Sequence, residues 1–465
     1  MKLYRRNAFE KIEKKFAEEQ GLPFIKLLRK NLIEEVIKEE KIKYRSRVFT
    51  PAITLWAFLS QILSDNNSCE ETAGRVRAFF TKQNKKMSSI CASAYCQARQ
   101  RLPKNLISKL VSKVVAETRE ELPKERLWRG RRVAIVDGSC INAPDTIKNQ
   151  EMYPQIKSQK EGCGFPIIRI AVAFCLATGM VIKIRFANYS IHERVLFRRL
   201  YENLEQGTVV LGDRGCCSYC DSAYLQYLYK HDFVFRVRGK ANTRLANTTY
   251  IVEKQEIKKW HRPKRLPDWV EMPYLIPESM EVRLVQYKVN TPGFRSKEFI
   301  IVTSLLDFDA YTFGDIAQLY FLRWNAELYL RTLKTNMCME KLKGKTPDIL
   351  YKEIYAYVLA YNLIRLVVFH TAVAHNHILY LVSFRHSQYS ILSFLEQMRS
   401  SSIAAQNFLF KALILDISKK LLPVRTTMRV EPRRIKQRMK RFTLLTKHRN
   451  EYKVLIIQGI STEKP

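Results

Sequence analysis

Tyr320-Phe321-Leu322-Arg323-Trp324-Asn325-Ala326-Glu327, continuing through Arg331 to Lys334, is the stretch on which the reading of this chain turns. On a helix advancing about 100° per residue, Tyr320, Arg323, Glu327 and Lys334 fall at roughly 0°, 300°, 340° and 320°, within one narrow face. An Arg–Glu pair at i,i+4 on a solvated helix would account for two of them. It leaves the tyrosine unexplained, and Leu322, Trp324, Leu328 and Leu333 offer apolar surface for packing around the stripe. A carboxylate flanked by Arg, Lys and Tyr can hold a cation while its neighbours grip phosphate oxygens.

Working outward from Glu327, two further carboxylates stand at the ends of apolar runs. Val133-Ala134-Ile135-Val136 is β-branched and runs into Asp137-Gly138, which reads as a turn; Val209-Val210-Leu211 is followed by Gly212-Asp213-Arg214-Gly215. An aspartate after a strand ordinarily serves a turn or a cap. Two of them plus a glutamate, brought together from separate elements, can do something else. Phosphodiester chemistry needs an activated oxygen nucleophile and neutralisation of charge at phosphorus, and two divalent ions about 3.5–4 Å apart supply both. Magnesium is held by a few carboxylates and substrate phosphate.

The charge balance points to a polyanionic partner. Lys and Arg number 80 against 44 Asp and Glu, a formal +36 spread along the whole chain. No basic cluster sits beside an apolar span, so an anionic membrane is the lesser candidate. The stretch Leu366 to Phe384 lacks charged residues but carries His370, His375, Asn376 and His377, and reads as buried helix. Met1-Lys2-Leu3-Tyr4-Arg5-Arg6 leads into no apolar h-region before Glu10, Lys11 and Glu13, so the expected location is the cytoplasm, in association with the nucleoid. The ten cysteines are expected as reduced thiols, and Cys217 and Cys220 form one CxxC without a second pair at zinc-ligand spacing.

Texture along the chain divides it into five parts. Residues 1–128 read as a helical N-terminal domain, with Phe24, Ile25, Leu27, Leu28, Leu32, Ile33 and Ile37 at helical spacing. Residues 129–232 alternate strands with turns, including a hairpin of Ile167–Leu176 and Met180–Phe186 around Ala177-Thr178-Gly179. Residues 233–305 read as a β-rich insertion with strands at Phe233–Val237, Thr248–Val252, Glu281–Val289 and Phe299–Thr303. Helical periodicity returns over 306–400, and 401–465 form a basic helical C-terminal region. Within Lys419–Arg449, twelve Lys plus Arg face the single Glu431, a net of +11.

The spacing Tyr320-x2-Arg323-x3-Glu327-x6-Lys334 matches without a gap the YREK signature of the insertion-sequence-four family of DDE transposases, a cut-and-paste group that includes the transposon-five enzyme. Asp137-Gly138-Ser139 with Pro144-Asp145-Thr146 and Asn149 resembles the family's first-aspartate block. Gly212-Asp213-Arg214-Gly215 resembles its second. Gly164-Phe165-Pro166 and the following hairpin, Cys96-Gln97-Ala98-Arg99-Gln100-Arg101-Leu102-Pro103, and Arg429-Val430-Glu431-Pro432-Arg433-Arg434 also look like family sequence. The resemblance covers residues 80 to 450.

What the resemblance implies is an α/β fold with a ribonuclease-H-like catalytic core interrupted by the β-rich insertion. Asp137, Asp213 and Glu327 would be catalytic metal ligands for two Mg²⁺ ions, with Mn²⁺ able to substitute. Tyr320, Arg323 and Lys334 would touch the DNA of the transposon end. The partners would be transposon ends, target DNA and a second copy of the chain. In the transposon-five relative, an aromatic residue before the glutamate helix stacks on a flipped base, and Phe299 in Phe299-Ile300-Ile301-Val302-Thr303-Ser304 stands in the similar place, with packing inside a buried strand as its other reading. Two rival functions share the same residues: a DDE nuclease without strand transfer, and an inactive DNA-binding regulator.

Overall fold

The computed structural model describes residues 24, 27–28, 30–44, 48–64, 66–84, 90–237, 254–288, 298–399, 401–423 and 445–458. Ile25, the strand expected at Thr248–Val252 and the family-like block Arg429–Arg434 lie outside the described residues. Two compact units emerge: residues 1–126, 174–182 and 328–423, and residues 127–173, 183–327 and 424–465.

The first unit is helical, with α1 (Lys30–Glu39), α2 (Pro51–Leu63), α3 (Cys69–Lys82), α4 (Ala92–Arg101) and α5 (Lys104–Glu120). Helix α2 starts where Thr50 accepts from the Ile53 N–H at 3.2 Å and Pro51 occupies the first turn, so a donor that would be orphaned is either capped or missing. Of the residues read at helical spacing, Phe24, Leu28, Leu32 and Ile33 are buried and Leu27 and Ile37 half-buried, while Val36, beside Ile37, is fully buried.

Later in the chain this unit contains the long helix Pro347–Ala374, then Phe384–Arg399 and Ile403–Ser418. Pro347–Ala374 packs against α2 and α5. It is apolar and long enough to cross a membrane by composition, yet 89% of its most apolar window is buried inside the protein, as in a core helix. The expected helix over 366–384 is not continuous: Pro347–Ala374 ends at a cap on His375, and a 3₁₀ turn at Leu379–Leu381 follows. Residues 174–182 are held there by Asn362, which accepts from the Val181 N–H at 2.8 Å and donates to its carbonyl at 3.0 Å.

An eight-stranded sheet organises the rest. Its strands are β1 (Val133–Asn142), β2 (Ile167–Cys175), β3 (Val181–Asn188), β4 (Val209–Gly212), β5 (Asp232–Arg236), β6 (Lys254–His261), β7 (Ser279–Lys288) and β8 (Glu298–Thr303), in spatial order β3-β2-β1-β4-β5-β8-β7-β6. β1, β4 and β5 are parallel neighbours, while β5–β8, β8–β7 and β7–β6 are antiparallel. The strand read at 233–237 therefore pairs with β4, and the later strands extend the same sheet. β6 escaped the sequence reading because it is a charged edge strand, Lys-Gln-Glu-Ile-Lys-Lys-Trp-His, with only Trp260 buried; lysines on an edge discourage pairing with other chains.

Helices fill the connections: α6 (Ile147–Met152), α7 (Glu193–Tyr201), α8 (Tyr219–Ala223), α9 (Phe313–Leu322) and α10 (Trp324–Arg331). Helix α9 begins in a capping box, with Thr312 and Asp315 bonding each other's backbone N–H, and packs on β5 and β7. The later helices are α11 (Pro347–Ala374), α12 (Phe384–Arg399), α13 (Ile403–Ser418) and α14 (Arg449–Ile457).

Candidate active site

Asp137 lies inside β1, not at a turn, because the strand continues to Asn142. Its first four residues are buried and the next four half-buried, so the chain emerges from the core at the aspartate. β4 stops at Gly212, one residue before Asp213. The register pairs Val133 with Val209 and Ile135 with Leu211. Extended by two residues, it sets Asp137 level with Asp213, and neighbouring strands run about 4.8 Å apart. The β4–β5 register, Gly212 with Phe235, likewise brings Arg236 level with Asp213 on the far side.

Glu327 reaches the same place from α10. Burial is the main cause that pushes the Asp137 carboxyl up to about 7, the Gly138 N–H and Arg323 pull it back, and Asp213 and Glu327 push it further. Asp213 and Glu327 thus both act on Asp137. Each is also held by a donor: Gly138 N–H to Asp137 Oδ1 at 2.9 Å, Gly215 N–H to Asp213 Oδ1 at 2.7 Å, and Arg323 Nη2 to Glu327 Oε1 at 2.8 Å. Among the described residues no three His, Cys, Asp or Glu side chains stand close enough to share one metal ion. The donor set is nonetheless the right kind, since hard cations take carboxylate oxygens, and a cation would offset the repulsion of Asp137 by Asp213 and Glu327.

Arg323 and Tyr320 flank this group. Burial opposes the Arg323 charge, but Glu327, Tyr320 and Asp137 outweigh it and hold the guanidinium above its ordinary range. Tyr320 is buried, and its hydroxyl is pushed up to about 12 by burial against the pull of Arg323 and Arg236. Phe299 packs at 5.9 Å from the Tyr320 ring, stacks on Tyr287 at 5.2 Å and carries the Arg236 guanidinium 4.5 Å from its centroid. It is half-buried.

The helix is less regular than a uniform 100° projection assumes. α9 ends at Leu322, i→i+3 bonds from Arg323 N–H to Tyr320 O and from Ala326 N–H to Arg323 O tighten the chain, and α10 follows. Thr332–Asn336 then form a π turn, closed by Met337 N–H to Thr332 O at 3.0 Å. A π turn closes i→i+5 and advances less per residue, so the uniform 100° projection does not carry through to Lys334. Lys334 falls in the first unit, Tyr320, Arg323 and Glu327 in the second. Of the apolar neighbours, Leu333 is fully buried, whereas Trp324 is 54% exposed.

Two neighbours of the carboxylates gave no sequence signal of their own. Arg236 closes the apolar strand β5, Asp-Phe-Val-Phe-Arg, with no charge pattern around it. Glu193 opens α7 one residue after its cap, His192, an ordinary place for an acid at a helix N-terminus. All ten cysteines are free, and Cys217 and Cys220 are buried thiols.

A mixed sheet whose parallel strands deliver two level aspartates to an Arg- and Tyr-flanked glutamate defines a carboxylate site suited to phosphoryl chemistry. Residues 128–363, a little over half of the chain, match the family described as the transposase DDE domain. The chain belongs to the DDE transposases, in the IS4 family. It is 24% identical over 283 residues to the transposase InsG for insertion sequence element IS4 of Escherichia coli (strain K12), an alignment covering 59% of this chain and 61% of that protein. The chain thus spans about three fifths of that relative's length. Among solved structures, a piggyBac transposase synaptic complex with hairpin DNA aligns over 96% of this chain and 91% of its own, at 13% identity and a TM-score of 0.40.

Proposed function

We propose that this transposase serves an insertion sequence: it binds the terminal inverted repeats and cuts and rejoins DNA strands by a cut-and-paste route. The observation that carries the reading is the level placement of Asp137 and Asp213 on parallel strands, with Glu327 acting on Asp137. Asp137, Asp213 and Glu327 are the proposed holders of two Mg²⁺ or Mn²⁺ ions. When bound, such ions supply an activated oxygen nucleophile and offset charge at the reacting phosphate.

The chain's own groups supply the rest. Arg323 releases Glu327 to the cation side and turns its fork to a phosphate oxygen, for which a planar guanidinium is well matched. Tyr320, protonated at neutral pH, donates a hydrogen bond without adding charge. Lys334 supplies a further positive charge to the transposon end. Phe299 is the proposed stacking surface for a flipped base, in which role the base replaces Arg236 over the ring. The +36 charge provides sequence-independent attraction to transposon ends and target DNA.

Residues 129–232 and 306–400 are proposed as the two parts of a ribonuclease-H-like core, supported by the β3-β2-β1-β4 part of the sheet, with 233–305, whose first strand β5 pairs with β4, as its insertion. Residues 1–128 and 401–465 are proposed as flanking DNA-binding regions, in a homodimer that pairs two ends in the cytoplasm at the nucleoid.

The test is a supercoiled plasmid carrying the element's inverted repeats, incubated with the protein and Mg²⁺. Excision followed by joining to a second plasmid supports transposition. Cleavage without joining assigns a nuclease, and salt-sensitive binding without cleavage assigns a regulator.

A further inference from the structure

Arg283 stands in the middle of β7, a strand with β8 on one side and β6 on the other, opposite Thr303 and Ile257. Its neighbours Val282, Leu284 and Val285 are buried apolar residues, and Arg283 is buried with them, at 0% exposure. A guanidinium taken out of water is costly unless its donors are met. Burial pulls it below its ordinary range, with Asp307 and Asp315 opposing. The acceptors in contact are neutral oxygens: Nη1 donates to the carbonyls of Asp307 at 3.2 Å and Tyr311 at 2.6 Å, and Nη2 to Gln255 Oε1. The Phe308 ring covers the group, its centroid 4.3 Å away.

What the guanidinium holds is the turn Asp307–Tyr311, and that turn launches the glutamate-bearing helices. Tyr311 directly precedes Thr312, the cap of α9. Inside the turn, Asp307 Oδ1 accepts from the Asp309 and Ala310 N–H groups, each at 2.9 Å. The same turn is tied to the segment entering β1, the strand of Asp137: Trp128 stacks on the Tyr311 ring at 5.5 Å, Arg131 donates to the Tyr311 hydroxyl at 2.9 Å, and Arg129 pairs with Asp315 of the capping box at 2.6 Å. From Phe313 to Glu327 the chain runs helical for about 21 Å, with one tightened turn at Arg323. A tilt of about 3° at the start moves the far end by about 1 Å, and a misplacement of that size can slow a reaction about a hundredfold.

We propose that Arg283 is a positioning residue for Glu327: by holding the carbonyls of Asp307 and Tyr311 it sets the start, and so the tilt, of α9 and α10. The inference rests on the reading of Glu327 given under Proposed function. It explains why a cation stands in an interior strand among neutral acceptors. Stability alone does not, since an apolar side chain of similar volume often serves a core as well as a buried charge. Such a side chain could not fix two carbonyls.

The experiment uses the full-length protein. Mn²⁺ binding is read by electron paramagnetic resonance of the free ion, first-strand cleavage on a duplex carrying the element's inverted repeat, end affinity by gel shift, and unfolding temperature in EDTA. Arg283→Met fills the space without donors. Asp307→Ala loosens the exposed turn without touching the core, and carries the test should Arg283→Met not fold. Both are expected to weaken Mn²⁺ binding and slow cleavage about tenfold or more, the scale on which groups behind a metal ligand act, with end affinity within about threefold of wild type. Arg283→Lys, whose one ammonium can donate to both carbonyls, is expected to restore most of the loss. Glu327→Gln is the reference. If it loses Mn²⁺ and cleavage while Arg283→Met and Asp307→Ala behave as wild type, the Arg283 inference is overturned and the site stands. If Glu327→Gln also behaves as wild type, the site reading itself fails. Losses that track a lowered unfolding temperature and disappear on cooling would make Arg283 a fold residue only, and Arg283→Lys as impaired as Arg283→Met would remove the carbonyl contacts as the cause.

Discussion

Asp137, inside β1, and Asp213, one residue past the end of the parallel strand β4, stand level in register, two residues beyond the last rung, Ile135 with Leu211. Their side-by-side exit from the sheet makes two acids repel in a half-buried place, and Glu327 adds to the repulsion. The functional consequences follow from that geometry.

Removing any one of the three acids should separate chemistry from binding. Asp137→Ala, Asp213→Ala and Glu327→Ala are each expected to slow first-strand cleavage in Mg²⁺ at least about a hundredfold, while gel-shift affinity for the transposon end stays within about threefold. Cleavage near the wild-type rate by any of them removes that residue from the site.

The raised Asp137 carboxyl gives a stability signature with a definite sign. In the unfolded chain it titrates near about 3.9, and in the folded, metal-free protein at about 7. Between those values the folded state binds the extra proton, so the stability this group contributes falls as pH rises from about 4 to about 7. Asp137→Asn lacks that loss. In EDTA it should unfold at a higher temperature than wild type at pH 8, and the difference should vanish near pH 4. A difference that does not change with pH would show that the carboxyl is not placed among repelling acids.

Phe299 separates base capture from packing. Base–aromatic stacking contributes about 1–3 kcal/mol, so Phe299→Ala is expected to slow hairpin formation or resolution more than nicking, with Phe299→Trp tolerated. Denaturing gels of cleaved ends read the two steps apart. Equal slowing of both, or a wild-type reaction without a hairpin, would mean that the ring only packs against Tyr287 and Tyr320.

DNA affinity should fall steeply with salt, and the basic segment should carry part of the slope. The structure advises against testing this by truncation before Lys419. Arg449 pairs with Asp145 and lies 5.2 Å from the centre of the Phe165 ring, and Cys163 donates from Sγ to the Lys447 carbonyl at 2.9 Å, so truncation would also strip the loop after β1. Replacing Arg433, Arg434, Lys436 and Arg438 by Gln leaves those contacts in place. The plot of log affinity against log salt should flatten by up to about four units for four charges on duplex DNA. An unchanged slope would assign the segment to another partner.

Much of the site was legible from residue order alone. The Arg323–Glu327 spacing is one helical turn, and the contact exists at 2.8 Å because four residues always bring two side chains to one face of a helix. Buried strands at 133–136 and 209–211 showed in their unbroken β-branched and apolar runs, since a parallel strand covered on both faces has no polar face to alternate with. Lys334 was placed by assuming a uniform helix, and Thr332–Asn336 form a π turn instead. Backbone hydrogen bonding of that kind leaves no mark in a spacing of charges.

The sequence by itself determined which groups this protein carries: an acid after each of two apolar runs and one at helical spacing from Tyr320 and Arg323, and a strongly basic composition, all properties of residue type and short-range period. The tertiary structure decided what those residues meet. Strand register made Asp137 and Asp213 level, parallel pairing put Arg236 beside them, and the fold of α7 brought Glu193 against Gly138, 55 positions earlier in the chain. Asp137-Gly138 read as a turn because local propensity knows only neighbours along the chain. Why a glycine is needed there depends on an atom from another element, and contacts between distant segments are set by packing, not by period.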